Sequence, residues 1–317
     1  MTSRRGLRIL SAADLTGLMS LDEAIDSQKA AFIALATGDG YLAPRLLVPG
    51  PSGDTTFVYA ARTSRTAGVV AKVGSVVASN QQLGLPSVSA TVLALDPITG
   101  RPRALLDGEP ITTLRTVAAS MLAAQNLCPL PGRVAVIGYG AQGRAHASAA
   151  AEVLDCDEVV VWAPELPARL KGSARRAHSA AEAVSGADLI FTCTTSRTPV
   201  ISPDWLLDNT VIISVGSFAP DRCEVGPEVL RQATVIVDDV ATARAQAGPV
   251  RQAIADGNLR PSDLRALGEV LLIGVERTER TRWTYYNSVG LGIQDSAIAE
   301  MLVSRAEAAG LGTVLPW

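Results

Sequence analysis

The spacing of apolar positions changes character along this 317-residue chain. Residues 12–19 and 21–37 carry helical spacing, and each stretch follows a serine, Ser11 and Ser20, suited to an N-cap. Asp22 and Glu23 fall in the first turn of the second stretch, where carboxylates complement the helix dipole, and Gly38-Asp-Gly40 ends it. Short β-branched runs follow at 45–48, 55–61, 69–77, 88–96 and 102–107. Pro/Gly-rich turns at 49–53 and 96–100 separate them, as in antiparallel sheets. An Ala- and Leu-rich stretch at 112–127 reads as a long helix, and Pro129-Leu-Pro-Gly132 marks a boundary.

Beyond residue 132 the pattern becomes alternating. Apolar runs at 133–138, 158–162, 188–193, 211–215 and 234–238 are separated by short helical segments, the signature of a parallel sheet covered on both faces. Residues 263–272 and 283–289 lead out of this region, and an apolar helix at 292–309 closes the chain.

The first of these runs ends in Gly138-Tyr-Gly140-Ala-Gln-Gly143 and opens a helical stretch, the strand–turn–helix context that gives G-x-G-x-x-G its meaning. Gly138 suits the tight turn, Gly140 leaves room for a pyrophosphate, and Gly143 permits close helix–strand packing. Ala141 and Gln142 sit at the helix N-terminus, whose N–H groups favour a phosphate. The next run ends at Trp162, and Glu165 lies where an acid accepts the ribose hydroxyls of NAD. Arg169 and Lys171 could instead curl back onto a 2′-phosphate, so NADH and NADPH both remain open. Thr192, Thr194 and Ser196 follow the third strand, and Val215 with Gly216 ends the fourth, positions expected to line the nicotinamide side of the crevice. Ser288 and Gly290 form a further polar–glycine cluster, and Arg115 with Thr116 completes the expected cofactor-binding set. The expected fold is α/β: a doubly wound Rossmann domain at 129–290, and an α+β domain formed by 1–128 with 291–317 that supplies the substrate groups.

Composition narrows the class. Hydrophobic residues make up 48% and charged residues 19%, which supports a substantial core and argues against global disorder. A net charge of −3 gives no reason to expect nucleic acid. No apolar run approaches the ~20 residues a membrane span needs, and no secretory leader is evident behind Met1. Cys128, Cys156, Cys193 and Cys223 are scattered without metal-ligand spacing, a pattern that suits reduced thiols in a cytoplasmic enzyme. His146 and His178, the chain's two histidines, read as structural or surface residues, so no metal site and no Ser-His-Asp triad is expected.

Of 28 basic residues only Lys29, Lys72 and Lys171 are lysines. Lys72 stands in a β-branched run, where a buried ammonium is costly unless paired and can move a proton or hold a carboxylate. The alternative is an edge-strand lysine turned to solvent. Arg45 and Arg115 are the next candidates, since a guanidinium fork matches a carboxylate in bidentate fashion. Arg115 sits near the start of the predicted helix, where a cation opposes the dipole and implies a specific anion. Either arginine could equally serve a structural salt bridge. Tyr59, Tyr139, Phe218 and Tyr286 are possible walls of an apolar pocket.

Taken in order, these stretches resemble the ornithine cyclodeaminase/mu-crystallin family. The resemblance rests on Ala43-Pro-Arg45, Ala71-Lys72, Asn80 with Gly84-Leu-Pro86, and Leu105-Leu-Asp107 followed by 113–119. It continues through 137–142, 187–192, 215–221 with Glu224, Leu267-Gly-Glu269, and Ser288-Val-Gly290 with Asp295. The resemblance implies a homodimer built through the first domain and the C-terminal helix, a Rossmann domain holding NAD(H) or NADP(H), and Arg45, Lys72 and Arg115 around an amino or imino acid. One departure stands out. Cyclodeaminases of the family carry an aspartate where this chain has Phe218, and a phenyl ring neither pairs with an ammonium nor moves its proton.

The expected activity is therefore NAD(P)H-dependent reduction of a small cyclic or linear 2-imino acid, of the pyrroline-2-carboxylate or piperideine-2-carboxylate type. Arg45, Lys72, Arg115 and Phe218 would contact substrate, and Lys72 would be catalytic. The alternatives are an amino acid or opine-type dehydrogenase, an ornithine-type cyclodeaminase, and a non-catalytic small-ligand-binding protein.

Overall fold

The computed structural model describes residues 6–50, 54–170, 172–275 and 281–317; the expected turn within 51–53 and Lys171 lie outside the described residues. The chain divides into two compact units, residues up to 115 with 291–317, and residues 116–290.

The first unit opens with β1 (Gly6–Leu10), α1 (Ala12–Leu15) and α2 (Leu21–Thr37). There follow β2 (Tyr41–Leu42), β3 (Leu46–Pro49), β4 (Thr55–Arg62), β5 (Val70–Val76), β6 (Val88–Leu95) and β7 (Pro102–Asp107). Helix α3 (Gly108–Leu127) carries the chain across the boundary. The second unit contains β8 (Arg133–Ile137), α4 (Ala141–Val153), β9 (Glu158–Trp162), β10 (Arg175–Arg176), α5 (Ala180–Val184), β11 (Leu189–Thr192) and β12 (Val211–Ser214). It continues with α6 (Pro227–Leu230), β13 (Ala233–Val237), α7 (Val240–Gln246), α8 (Gly248–Ala255), β14 (Arg265–Ala266), α9 (Leu267–Ile273) and β15 (Trp283–Asn287). The chain then returns to the first unit as α10 (Gly292–Ala309) and β16 (Thr313–Pro316).

In the first unit the local signals translate directly into elements. Ser20 accepts the Glu23 N–H at 3.2 Å while Glu23 accepts the Ser20 N–H at 2.9 Å, the reciprocal box that starts a helix. Gly38, at φ 78°, ends α2 in the left-handed region. The sheet runs β16-β1-β7-β6-β5-β4-β2, with β3 also on β4. β1 pairs parallel with β7, and the other pairs are antiparallel. β1 and β16 were not among the expected strands. Helices α2 and α10 pack together, and α10 lies on β4, β5 and β6. Tyr59, Lys72 and Val92 are register partners on the buried side of these strands.

Helix α3 begins at Gly108, four residues before the stretch read from the sequence. The Asp107 carboxylate accepts the Glu109 N–H at 3.0 Å and caps it, so Gly-Glu-Pro, which resembles a turn, is its first turn. Arg115 therefore lies two turns into the helix, and the argument from the dipole does not apply to it.

All eight strands of the second unit are parallel, in the order β10-β9-β8-β11-β12-β15-β13-β14. The order reverses between β8 and β11, the topological switch point of a doubly wound sheet. Its central strands are buried apolar runs, as two covered faces require. One central strand was unexpected. β15 lies between β12 and β13 with every residue buried, although its Trp-Thr-Tyr-Tyr sequence does not read as an apolar run. The polar atoms of its aromatic side chains are satisfied inside: Trp283 Nε1 donates to Leu207 O at 3.0 Å, Tyr285 donates to Asn287 Oδ1 at 2.7 Å, and Tyr286 donates to Asp238.

Candidate active site

Within the first unit, three elements bring ionisable groups together. Lys72 is not an edge-strand lysine: β5 is paired on both sides and the side chain is 2% exposed. Its Nζ donates to Asp295 Oδ1 at 2.8 Å, from α10, and to Thr112 Oγ1 at 2.5 Å, from α3. Thr112 in turn donates to Gly108 O, which fixes its hydroxyl as an acceptor for the lysine. Arg115 Nε approaches Asp295 Oδ1 at 3.8 Å and is a buried donor without a hydrogen-bond partner among the described residues. Tyr59 Oη donates to Asp295 Oδ2 at 3.0 Å, and the Arg45 guanidinium stands 5.1 Å from the Tyr59 ring centroid.

Burial pushes the Lys72 ammonium below the usual lysine range; Asp295 pulls the other way and Arg115 adds to the depression. Asp295 is also desolvated, yet Lys72 and Arg115 hold its carboxyl below the ordinary range. Burial and the neighbouring Asp295 push the Tyr59 phenol upward, so it remains a donor. Two cations thus share one carboxylate with a third, Arg45, close by, an arrangement that favours a further anion. Asp295 and Thr112 complete the cluster without having been assigned to it from the sequence, and Tyr59, expected as a wall of an apolar pocket, joins it through its hydroxyl. The signal that could have found Asp295 is its place near the start of an otherwise apolar helix.

The second unit holds the glycine loop. Gly138 has φ 100°, and a Cβ there would stand 2.4 Å from Cys193 O. A Cβ on Gly143 would lie 2.0 Å from Gly138 O. Gly140 differs: no atom lies within 4 Å of its would-be Cβ, so nothing in the packing requires glycine there. It is the N-cap of α4 and provides no side-chain cap, leaving the helix N-terminus to a ligand. Ala141 is exposed beside it, and the half-buried Gln142 carries a buried Oε1 without a hydrogen-bond partner among the described residues. Trp162 ends β9 half-buried, and Glu165 and Arg169 are exposed in the loop beyond it.

The hydroxyls after β11 are less free than their sequence implies. The fully buried Glu224 accepts from Thr192 Oγ1 at 3.0 Å, Thr194 N at 2.6 Å and Thr194 Oγ1 at 2.9 Å. It also accepts from Ser214 Oγ at 2.8 Å and Gly216 N at 2.7 Å, tying the ends of β11 and β12 together. Burial pushes its carboxyl up, against the pull of these donors. Ser196 donates to Thr198 O, and Val215 N–H is used by Thr192 O. Asp238 organises the neighbouring loop, accepting from Val289 N at 2.8 Å and Gly290 N at 2.6 Å. Just before them Ser288 Oγ is buried without a hydrogen-bond partner among the described residues. Thr116 is buried in α3, Phe218 is half-buried with Arg222 5.9 Å from its ring centroid, and Tyr286 belongs to the core rather than to a pocket wall. His146 is wholly buried, bridging Gln142 O and Ser120 Oγ.

An all-parallel doubly wound sheet bearing a glycine loop, joined to a mainly antiparallel sheet with a buried cationic cluster, defines a two-unit α/β protein of Rossmann type. The chain belongs to the ornithine cyclodeaminase/mu-crystallin family, whose model matches residues 7–310. Mouse ketimine reductase mu-crystallin is 32% identical over 69% of this chain and 70% of its own length. The Thermococcus litoralis Δ1-pyrroline-2-carboxylate reductase, solved with NADH and L-proline, is 29% identical with a TM-score of 0.89, covering 96% of this chain and 99% of that one. An archaeal alanine dehydrogenase dimer with bound NAD is 27% identical with a TM-score of 0.88, and 98% of each chain is covered.

Proposed function

We propose that this protein is a nicotinamide-dependent reductase of small 2-imino acids. The observation that carries the reading is the buried Lys72–Asp295–Arg115 cluster, in which two cations share one carboxylate and Arg45 adds a third positive charge. Such a cluster suits a carboxylate substrate with an imine nitrogen beside it. The relatives that reduce ketimines and pyrroline-2-carboxylate support it.

The residues of the second unit fit a dinucleotide. Gly140 leaves open space at a helix N-terminus without a side-chain cap, and Gln142 Oε1 and Ser288 Oγ are buried without partners among the described residues. Gly138, Gly140, Ala141 and Gln142 would hold the pyrophosphate, Trp162 and Glu165 the adenosine side, and Thr116, Thr194, Ser196, Val215, Gly216, Ser288 and Gly290 the nicotinamide side. Thr192 would act through Glu224. A nicotinamide held by these residues would supply the hydride that an imine reduction needs. Arg45 and Arg115 hold the substrate carboxylate, and Lys72 delivers a proton to the nitrogen and is recharged from solvent. Phe218 replaces a charged group with an apolar wall, which favours substrates without a second amine.

The partner in assembly is a second copy of this chain. On the side of the first sheet away from α10, Leu46, Val58, Val73 and Thr91 form one uncharged row across β3, β4, β5 and β6, with Leu46 59% and Val73 49% exposed. The archaeal dimer supports this reading.

The test is a panel of cyclic and linear 2-imino acids with NADH and NADPH, followed by absorbance. Lys72→Ala is expected to lower kcat/KM on the best substrate by about 10²–10⁴-fold; unchanged turnover would remove Lys72 from the chemistry. Running each reaction in the oxidative direction separates this reading from an amino acid dehydrogenase.

A further inference from the structure

We propose that Asp295 is a positioning residue: from α10 it keeps the Lys72 ammonium charged and fixes the direction of its remaining N–H. The role given to the lysine in turnover rests on the reductase reading above; the electrostatic claim does not.

The groups that face Lys72 come from every element packed around it. Tyr59 comes from β4, Thr112 and Arg115 from α3, Asp295 from α10, and Arg45 from the segment between β2 and β3. Asp295 is the one anion among them. Burial and the two guanidiniums all favour the neutral amine, and Asp295 alone draws the proton on. The geometry shows a second task. The carboxylate gives Oδ1 to Lys72 and Oδ2 to Tyr59, and Thr112 takes another lysine N–H. Two of three ammonium donors are thereby committed, so the third has a set direction. In reduction the imine carbon gains hydride and the nitrogen gains a proton; Lys72 becomes a neutral amine and regains its proton from water. Asp295 keeps its charge throughout and acts on the substrate only through Lys72.

Three lysines in the chain make a direct measurement practical. Protein labelled with ¹³Cε-lysine gives one signal for each, Lys72 being the one lost in Lys72→Gln, and its titration midpoint is followed with pH. Asp295→Asn retains the shape and a hydrogen-bond acceptor but removes the charge. The Lys72 midpoint is expected to fall by about 1–3 pH units; an unchanged midpoint overturns the proposal. Tyr59→Phe removes a donor from Asp295 and leaves the charge, so the midpoint is expected to hold or rise. A fall there as large as in Asp295→Asn would mean that packing, not charge, sets it, and would also overturn the proposal, whether or not Asp295→Asn folds. On a reduced substrate, the alkaline limb of kcat/KM in Asp295→Asn is expected to move down with the midpoint, and activity to return at lower pH. A limb that stays put overturns the catalytic half of the claim. Absence of turnover in the wild type, with the titration shift intact, would overturn the reductase reading and leave the electrostatic role standing.

Discussion

Lys72 and Asp295 lie 223 residues apart along the chain and 2.8 Å apart in space. The identity of the lysine was legible, because it interrupts a β-branched run in a chain that otherwise uses arginine. Its partner was not, because an aspartate on an apolar helix looks the same in sequence whether it faces solvent or a buried ammonium. His146 shows the same divide. The sequence gives no partner for it, yet its ring is wholly buried between Gln142 and Ser120, and burial lowers its pKa to about 4. A histidine that binds its proton more weakly when folded adds stability above its unfolded pKa of about 6.5, and that stability is lost as pH falls toward 4. At pH 5 the loss is about 2 kcal/mol. Urea unfolding at pH 7.5 and pH 5 is expected to show that much more acid destabilisation in the wild type than in His146→Gln.

At the scale of elements, the strand–loop–helix unit from β8 to α4 separates two uses of glycine. Gly138 and Gly143 are required by the fold, since a Cβ at either meets backbone oxygen. Gly140 faces open space with φ −68°, so an alanine is tolerated by the chain and opposed only by a ligand. Gly140→Ala is expected to melt within about 2 °C of the wild type, since surface changes that break no contact stay within a few tenths of a kcal/mol, yet to bind NADH at least tenfold more weakly. Gly143→Ala is expected to lower the melting temperature by several degrees. Equal effects on melting and on cofactor titration in both variants would contradict this division. Elements that announce themselves locally, such as α2 with its capping box and Gly38, were readable to the residue. β15 and the first turn of α3 were not. The indole and phenol donors of β15 are acceptable in a core only because Leu207, Asn287 and Asp238 receive them, and these partners come from other elements or from the strand's own end.

At the scale of the molecule, no helix among the described residues is long and apolar enough to cross a membrane. The feature with consequences for assembly is the uncharged row of Leu46, Val58, Val73 and Thr91 on the outer side of the first sheet. Val73 lies at its middle, exposed and paired in register with Val58 and Thr91. Sedimentation of the wild type is expected at twice the 33.0 kDa chain mass, and Val73→Glu is expected to shift it toward the single-chain mass without loss of helical signal. A variant that sediments as the wild type does would place the interface elsewhere.

The sequence by itself determined the order of most elements, β1, β15 and β16 apart, and the position of the glycine turn, because caps, glycine turns and apolar periods act over a few residues. Only the tertiary structure decided which carboxylate each buried donor meets: Asp295 for Lys72 and Tyr59, Glu224 for the ends of β11 and β12, Asp238 for the 289–290 amides. The physical reason is that a buried charge is tolerable only beside partners that satisfy it, and such partners are brought together by the packing of distant segments, which no local pattern encodes.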